Sequence, residues 1–251
     1  MRILITNDDG IYAEGIMILA TSLCKIAEVS VVAPMYEQSG SGHGITVHTP
    51  LRMRPLEQSH DWRSWVVQGL PTDCVKLAIE QILDDKPDIV VSGINHGPNL
   101  GTDIIYSGTV SGAIEGYLYG IPSIAVSITE HKGDFAYAAG FVRDLCCKWQ
   151  KNMPANPIMY NINVPSGGRE VIKGVRCTQM GRRWYNNVFE LREDPHGRPY
   201  YWLSGDVDNS GNDKETDVWA INNNFISITP LTADLTDYKI LSSLKEQNFT
   251  F

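Results

Sequence analysis

The sequence predicts an α/β protein built on a parallel sheet, with a β-hairpin extension inserted late in the chain. Three observations carry that prediction. Apolar runs of strand type recur at 3–5, 29–33, 89–92 and 124–127 without polar alternation, as suits strands covered on both faces. Stretches with helical spacing separate them, and strands alternating with helices imply parallel pairing with right-handed crossovers. From about Arg169 the chain changes character and becomes rich in Trp, Tyr, Arg, Gly and Asn.

Taken in order, the first strand begins at the second residue and ends abruptly in Asn7, Asp8, Asp9 and Gly10. Residues 15–25 place Ile16, Leu19, Ala20 and Leu23 at helical spacing, which returns the chain behind that strand. The second strand, 29–33, stops at Pro34 and opens into a Gly- and Ser-rich loop at 38–46. A strand follows at 65–67. Thr72 or Asp73 can cap a helix running to about Leu83. Strand 89–92 leads into a long loop, 93–108, and a helix is expected over 109–119. Strand 124–127, a helix at 135–149 and a strand at 159–164 complete the alternation. Between 169 and 210, turn signals such as Asp194-Pro195-His196-Gly197 indicate β-hairpins projecting from the body. A returning strand is expected at 225–228 and a terminal helix at 235–246. The expected organisation is therefore a body of residues 1–168 plus 225–251, with 169–224 as the extension.

Composition narrows the functional classes. Hydrophobic residues make up 43% of the 251 and charged residues 20%, enough apolar content for a large core. A net charge of −8 and a pI of about 5.2 argue against a nucleic-acid polymer or an anionic membrane as partner. No apolar stretch approaches the roughly 20 residues of a membrane span. The five cysteines are scattered and form no CxxC pair, which fits reduced thiols and an expected cytoplasmic location. The N-terminus carries no signal-peptide pattern.

Three loops then draw attention, because loops after parallel strands share one edge, and ligands sit off that edge. They carry Asp8, Asp9, Ser39, Asn95 and Asn99, all oxygen ligands or donors. Adjacent carboxylates at the end of a buried strand repel each other and resist desolvation, and a divalent cation relieves both problems. Oxygen ligands without cysteine select Mg²⁺, Mn²⁺ or Ca²⁺. Ser107, Gly108 and Thr109 stand directly before the expected helix, whose start would hold a phosphate. Metal plus phosphate cradle points to phosphoryl chemistry. Each feature has a plainer reading. Asp-Asp-Gly is a common turn, Ser-Gly-Thr a common cap, Asn95 and Asn99 can occupy left-handed turn positions, and His43 reads as a surface residue.

The motifs that carry more weight are ILITNDDGIYAEGI at 3–16, VVAPMYEQSGSGHGIT at 31–46, GLPTDCVKLAI at 69–79, the long PDIVVSGINHGPNLGTDIIYSGTVSGAIEG at 87–116, GIPSIAVS at 120–127, NINVP at 161–165, DPHGRPYYW at 194–202 and TDVWAINNNFISITPLTADLT at 216–236. Together, over nearly the full length, they resemble the SurE (survival protein E) family of metal-dependent 5′/3′-nucleotidases. The resemblance implies a Rossmann-like body with a β-hairpin extension. It implies one divalent ion per subunit held by Asp8, Asp9, Ser39 and Asn95. It also implies that Asn99, Ser107, Gly108 and Thr109 lie around the phosphate, with Asn7, Gly40 and Ser41 beside them. Family members form dimers or tetramers, partly by exchanging the extension and the C-terminal segment. Departures are few. Asn224 and Gly112 replace the commoner glycine and alanine, and His196 replaces arginine. Gly112 weakens a helix by up to about 1 kcal/mol and permits a closer backbone approach.

The expected activity is hydrolysis of nucleoside 5′- and 3′-monophosphates by metal-activated water. Asp9 is preferred over Asp8 for orienting that water, a choice the sequence leaves open. NDDG lacks the pattern of aspartyl-phosphate phosphatases, which favours direct attack by water. The alternatives are a catalytically idle nucleotide- or phosphate-binding module, and a phosphatase or exopolyphosphatase acting mainly on other phosphoesters.

Overall fold

The computed structural model describes residues 1–57, 60–129, 134–186 and 188–247. Among these, the chain forms a nine-stranded sheet with helices on both faces and a hairpin arm leaving one end. Its first strand, β1 (Arg2–Thr6), lies near the middle. β2 (Glu28–Pro34) pairs on one side of it and β5 (Ile89–His96) on the other, both in parallel. Beyond β2 come β4 (Arg63–Val67), parallel, and the short antiparallel edge strand β3 (Met53–Pro55). Beyond β5 come β6 (Ser123–Ile128) and β7 (Met159–Val164), both parallel. β13 (Phe225–Leu231) closes antiparallel onto β7, and β8 (Gly174–Cys177) pairs parallel with β13. The central strands are buried on both faces, as their unbroken apolar runs require.

Helices α1 (Glu14–Leu23) and α4 (Phe135–Lys151) pack together over one face. Ile16, Leu19, Ala138 and Val142 meet Ile3, Ile5, Ile124 and Val126 there. Helices α2 (Pro71–Leu77) and α3 (Gly108–Leu118) share the other, with Leu4, Val75, Val110 and Ala125 inside. This arrangement corrects one expectation. β1–α1–β2, β4–α2–β5 and β5–α3–β6 share one hand, but β6–α4–β7 steps the same way as β5–α3–β6 with its helix on the opposite face. That crossover has the opposite hand, against the usual uniformity of such connections.

Local boundaries also shift. The helix expected over 72–83 is α2 followed by a single π-helical turn, Ala78–Ile82. The strand expected at 89–92 runs on to His96 through an irregularity between Ser92 and Asn95, where Gly93 takes φ +131°. The long loop contains a 3₁₀ helix, Gly101–Tyr106. The 169–224 stretch divides. β8 joins the sheet and α5 (Asp217–Asn222) packs on β13 and β7. The projecting part is β9 (Trp184–Asn186), β10 (Phe189–Glu193), β11 (Pro199–Leu203) and β12 (Asp206–Asp208). β10 pairs with β11 across the turn expected at Asp194–Gly197, and β9 pairs with β12. Asn224 has φ 64°, the left-handed conformation that asparagine tolerates best after glycine. The terminal helix, α6 (Tyr238–Lys245), is shorter than expected and buries none of its residues.

Candidate metal and phosphate site

β1, β2 and β5 end at one edge of the sheet, and the loops after them converge there. Asp8, at the end of β1, is 4% exposed, and the Thr109 hydroxyl of α3 donates to its Oδ1. Burial raises the Asp8 pKa from 3.8 to about 6; the Thr109 bond opposes the rise and the charge of Asp9 adds to it. Asp9 is less buried. Its Oδ2 accepts from the His96 backbone N–H at 3.2 Å and lies 3.4 Å from His96 Nδ1. Burial raises its pKa too, against the His96 N–H, and the Glu37 charge adds to the rise. The His96 ring stands edge-on to Phe135, 4.7 Å away.

The start of α3 comes very close to this pair. A Cβ on Gly108 would lie 2.7 Å from Ser41 Oγ, 2.8 Å from Asp8 Cβ and 2.9 Å from Asp8 Oδ2. Only glycine lets the helix start stand against both the carboxylate and the serine loop. Ser107 caps the helix, its Oγ accepting from Val110 N–H at 3.1 Å; the Thr109 N–H is turned to the Asp8 carboxylate, which leaves the Gly108 N–H at the mouth. The structure thus brings Asp8, Asp9, Ser41, Gly108 and Thr109 together. Ser39 lies on the exposed rim, where its Oγ donates to Glu37 Oε1 at 2.7 Å. Gly40, beside it, is exposed with φ +73°. Asn7 is fully buried, and its amide closes the Asp-Asp turn onto the Gly10 carbonyl at 2.8 Å. Asn95 sits in the last part of β5, its amide donating to the Gly97 carbonyl at 2.9 Å.

Asn99 is held by its backbone. Asn163 Oδ1 accepts from its N–H at 2.8 Å, while Asn161 and Asn163 both donate to its carbonyl, at 2.8 and 2.9 Å. Its own amide donates to Ser127 Oγ at 2.8 Å. These β6 and β7 supports were not recognised in the sequence. Their signal was there in NINVP, where two asparagines flank an apolar residue inside a strand that should be buried and so demand partners. Asp217 was missed as well. Fully buried, it accepts from Gly101 N–H at 2.9 Å and Gly181 N–H at 2.8 Å, joining the 97–107 segment to the root of the arm.

The donor set suits a hard divalent cation. Among the described residues no three His, Cys, Asp or Glu side chains gather, so an ion here would meet one carboxylate pair and neutral oxygens. Asn7 Oδ1 and Ser41 Oγ are buried without hydrogen-bond partners among the described residues, which leaves acceptors available beside that pair.

The family model for Survival protein SurE matches residues 3–187. A 5′-nucleotidase SurE from Heliobacterium modesticaldum is 48% identical over 98% of this chain and 91% of its own length. This chain belongs to the SurE family. Another member, the 5′-nucleotidase SurE of Alkaliphilus metalliredigens, is 50% identical, with 99% of each chain covered. The crystal structure of the SurE protein from Aquifex aeolicus superposes with a TM-score of 0.84 at 41% identity, covering 98% of both chains. The span matched to the SurE family contains every candidate residue from Asn7 to Thr109.

Proposed function

We propose that this SurE-family chain is a metal-dependent phosphomonoesterase hydrolysing nucleoside 5′- and 3′-monophosphates to nucleoside and phosphate. Its assignment as a 5′-nucleotidase is supported by relatives of that name at 48% and 50% identity over nearly the whole chain. The observation that carries the chemistry is the closeness of Gly108 to Asp8 and Ser41. A helix start and a desolvated carboxylate pair stand side by side, and a phosphate ester together with a divalent cation would satisfy both.

In this reading Asp8, Asp9, Ser39 and Asn95 would hold one Mg²⁺ or Mn²⁺ per subunit, with Ca²⁺ able to occupy the same ligands. When bound, the ion polarises the phosphate and supplies an activated water. The Gly108 N–H takes a phosphate oxygen, with Thr109, Asn99, Ser107, Ser41, Gly40 and Asn7 around it. Asp9 is the carboxylate that orients the attacking water and receives its proton, because Asp8 is more deeply buried and already engaged by Thr109. Self-association as a dimer or tetramer and a cytoplasmic location belong to the same proposal. Among the described residues, no helix is long and apolar enough to cross a membrane.

Phosphate release from a panel of 5′- and 3′-nucleoside monophosphates tests the proposal. Activity should vanish in EDTA, return with Mg²⁺ or Mn²⁺, and be lost in Asp9→Asn. Full activity in EDTA or in that variant overturns it. Higher rates on polyphosphate than on every nucleotide would replace it with the polyphosphatase reading.

A further inference from the structure

Glu115 is a charged residue in the middle of α3, 2% exposed, and both of its carboxylate oxygens are engaged. Lys76 Nζ on α2 donates to Oε1 at 2.7 Å. His43 Nε2 lies 3.1 Å from Oε2. Burial alone would raise its pKa, but the His43 and Lys76 contacts outweigh burial and hold it below the ordinary range. A buried carboxylate so fully paired on the cradle helix is more than a solvated surface charge.

What it holds is the loop at 38–46. This segment carries glycines at 40, 42 and 44, so it is intrinsically loose. Backbone bonds fix it at Gln38, whose N–H donates to the Asp8 carbonyl at 2.7 Å, and at Gly42, whose N–H donates to the Tyr106 carbonyl at 3.0 Å. At the far end Thr46 donates from N–H and Oγ1 to Asp73, at 3.0 and 2.6 Å. His43 adds a side-chain tie between them, two residues beyond Ser41. Beside it lies an open cavity of about 400 Å³ lined by His43, Ile45, Lys76, Glu115, Leu118 and Tyr119. Close packing therefore does not replace the polar tie.

We infer that Glu115 is a positioning residue for the phosphate cradle, acting through His43 to keep Ser41 against Gly108. The inference rests on the phosphate-binding role proposed for that cradle. Because α3 carries Gly108 and Thr109 at its start and Glu115 two turns later, one rigid helix sets both sides of the cradle. The loop then cannot drift relative to the helix start it faces. Lys76 pairs with the same carboxylate from α2 and helps keep it charged, so it supports the tie without being part of the cradle.

The test compares His43→Ala, His43→Gln and His43→Ala combined with Glu115→Gln. The readouts are KM and kcat for a 5′-nucleotide, calorimetric binding of inorganic phosphate with Mn²⁺ present, and Tm. His43→Ala should raise KM and the phosphate Kd in parallel by about tenfold, with kcat within about twofold and any fall in Tm too small to unfold the protein at the assay temperature. His43→Gln retains a side-chain N–H donor for Glu115 and should recover most of the affinity. The double variant should bind phosphate no more weakly than His43→Ala alone, since both changes break one tie. Unchanged phosphate affinity in His43→Ala overturns the inference. So do losses explained by unfolding at the assay temperature, failure of glutamine to rescue, or additive losses in the double variant. If the native protein hydrolyses no nucleotide, the nucleotidase reading fails, while the phosphate titration still reads the tie.

Discussion

Asp8 shows how one residue couples stability to function. Its carboxyl is raised from 3.8 to about 6 by burial. The folded pKa thus exceeds the unfolded one, so this group's contribution is full below about pH 4 and is lost as pH rises through about 6. A shift of this size corresponds to about 3 kcal/mol. In chelator-treated protein, Asp8→Asn should therefore gain on the native chain between about pH 4 and pH 6 by that order, and hold the gain above. Urea unfolding across pH in EDTA measures it, and a difference that stays flat with pH refutes the account. Adding Mn²⁺ at pH 8 should then stabilise the native protein and not the variant, which should also be inactive. Asp-Asp, Ser-Gly-Thr and the two asparagines each had a plainer turn or cap reading, and what marked them as a candidate site was their placement on three loops at one sheet edge. Which atoms meet was not legible in the sequence, since the approach of Gly108 to Asp8 and the grip of Asn161 and Asn163 on Asn99 depend on contacts across three strands. His43 shows the same limit. A lone loop histidine reads as a surface residue until α3 supplies Glu115 beneath it.

Element by element, long apolar runs were legible and short or exposed segments were not. β1, β2, β6 and β7 follow from continuous burial, and α4 from its strong amphipathic spacing. β3, β8 and α5 span three, four and six residues, too few for a period to show, and tertiary pairing makes them regular. α3 offers a direct contest between local and tertiary preference. Alanine at 112 would raise helix propensity by up to about 1 kcal/mol. A Cβ there would, however, stand 2.7 Å from Ser92 Oγ and 2.8 Å from Thr6 Cγ2, because the helix lies close on β5 and β1. Overpacking of this kind costs about 1–3 kcal/mol, so packing wins. Gly112→Ala should be less stable than the native chain by about 1 kcal/mol. Denaturant titration decides this; a variant more stable than native would mean that α3 has room to spare over the sheet.

At the scale of the whole molecule, the sheet and its helices bury their apolar surface, but the arm and the terminal helix do not. Cross-strand partners share a face, so Phe189 opposite Leu203 and Leu191 opposite Tyr201 form one apolar side of the β10–β11 ribbon. These four residues are 58–75% exposed in the single chain. A two-stranded ribbon is marginal alone in water, and one with a bare apolar face needs a partner surface. Leu235 and Ile240, at and just before α6, are exposed as well. A second copy of the chain is the partner the SurE resemblance implies, and it would cover both regions without disturbing the body. Leu191→Glu combined with Leu203→Glu places two like charges on that apolar side and should prevent such a contact. By light scattering coupled to size exclusion, the native protein should run as a dimer or tetramer and the double variant as a monomer with unchanged far-UV circular dichroism. The arm's root is also tied to the site, since Tyr185 Oη donates to Asp103 at 2.7 Å and Arg183 pairs with the same carboxylate at 2.8 Å, one helical turn before Ser107. The monomeric variant should therefore lose activity as well as partners. A native protein that is already monomeric, or a variant that still assembles, would show that the apolar side of the ribbon is not the contact.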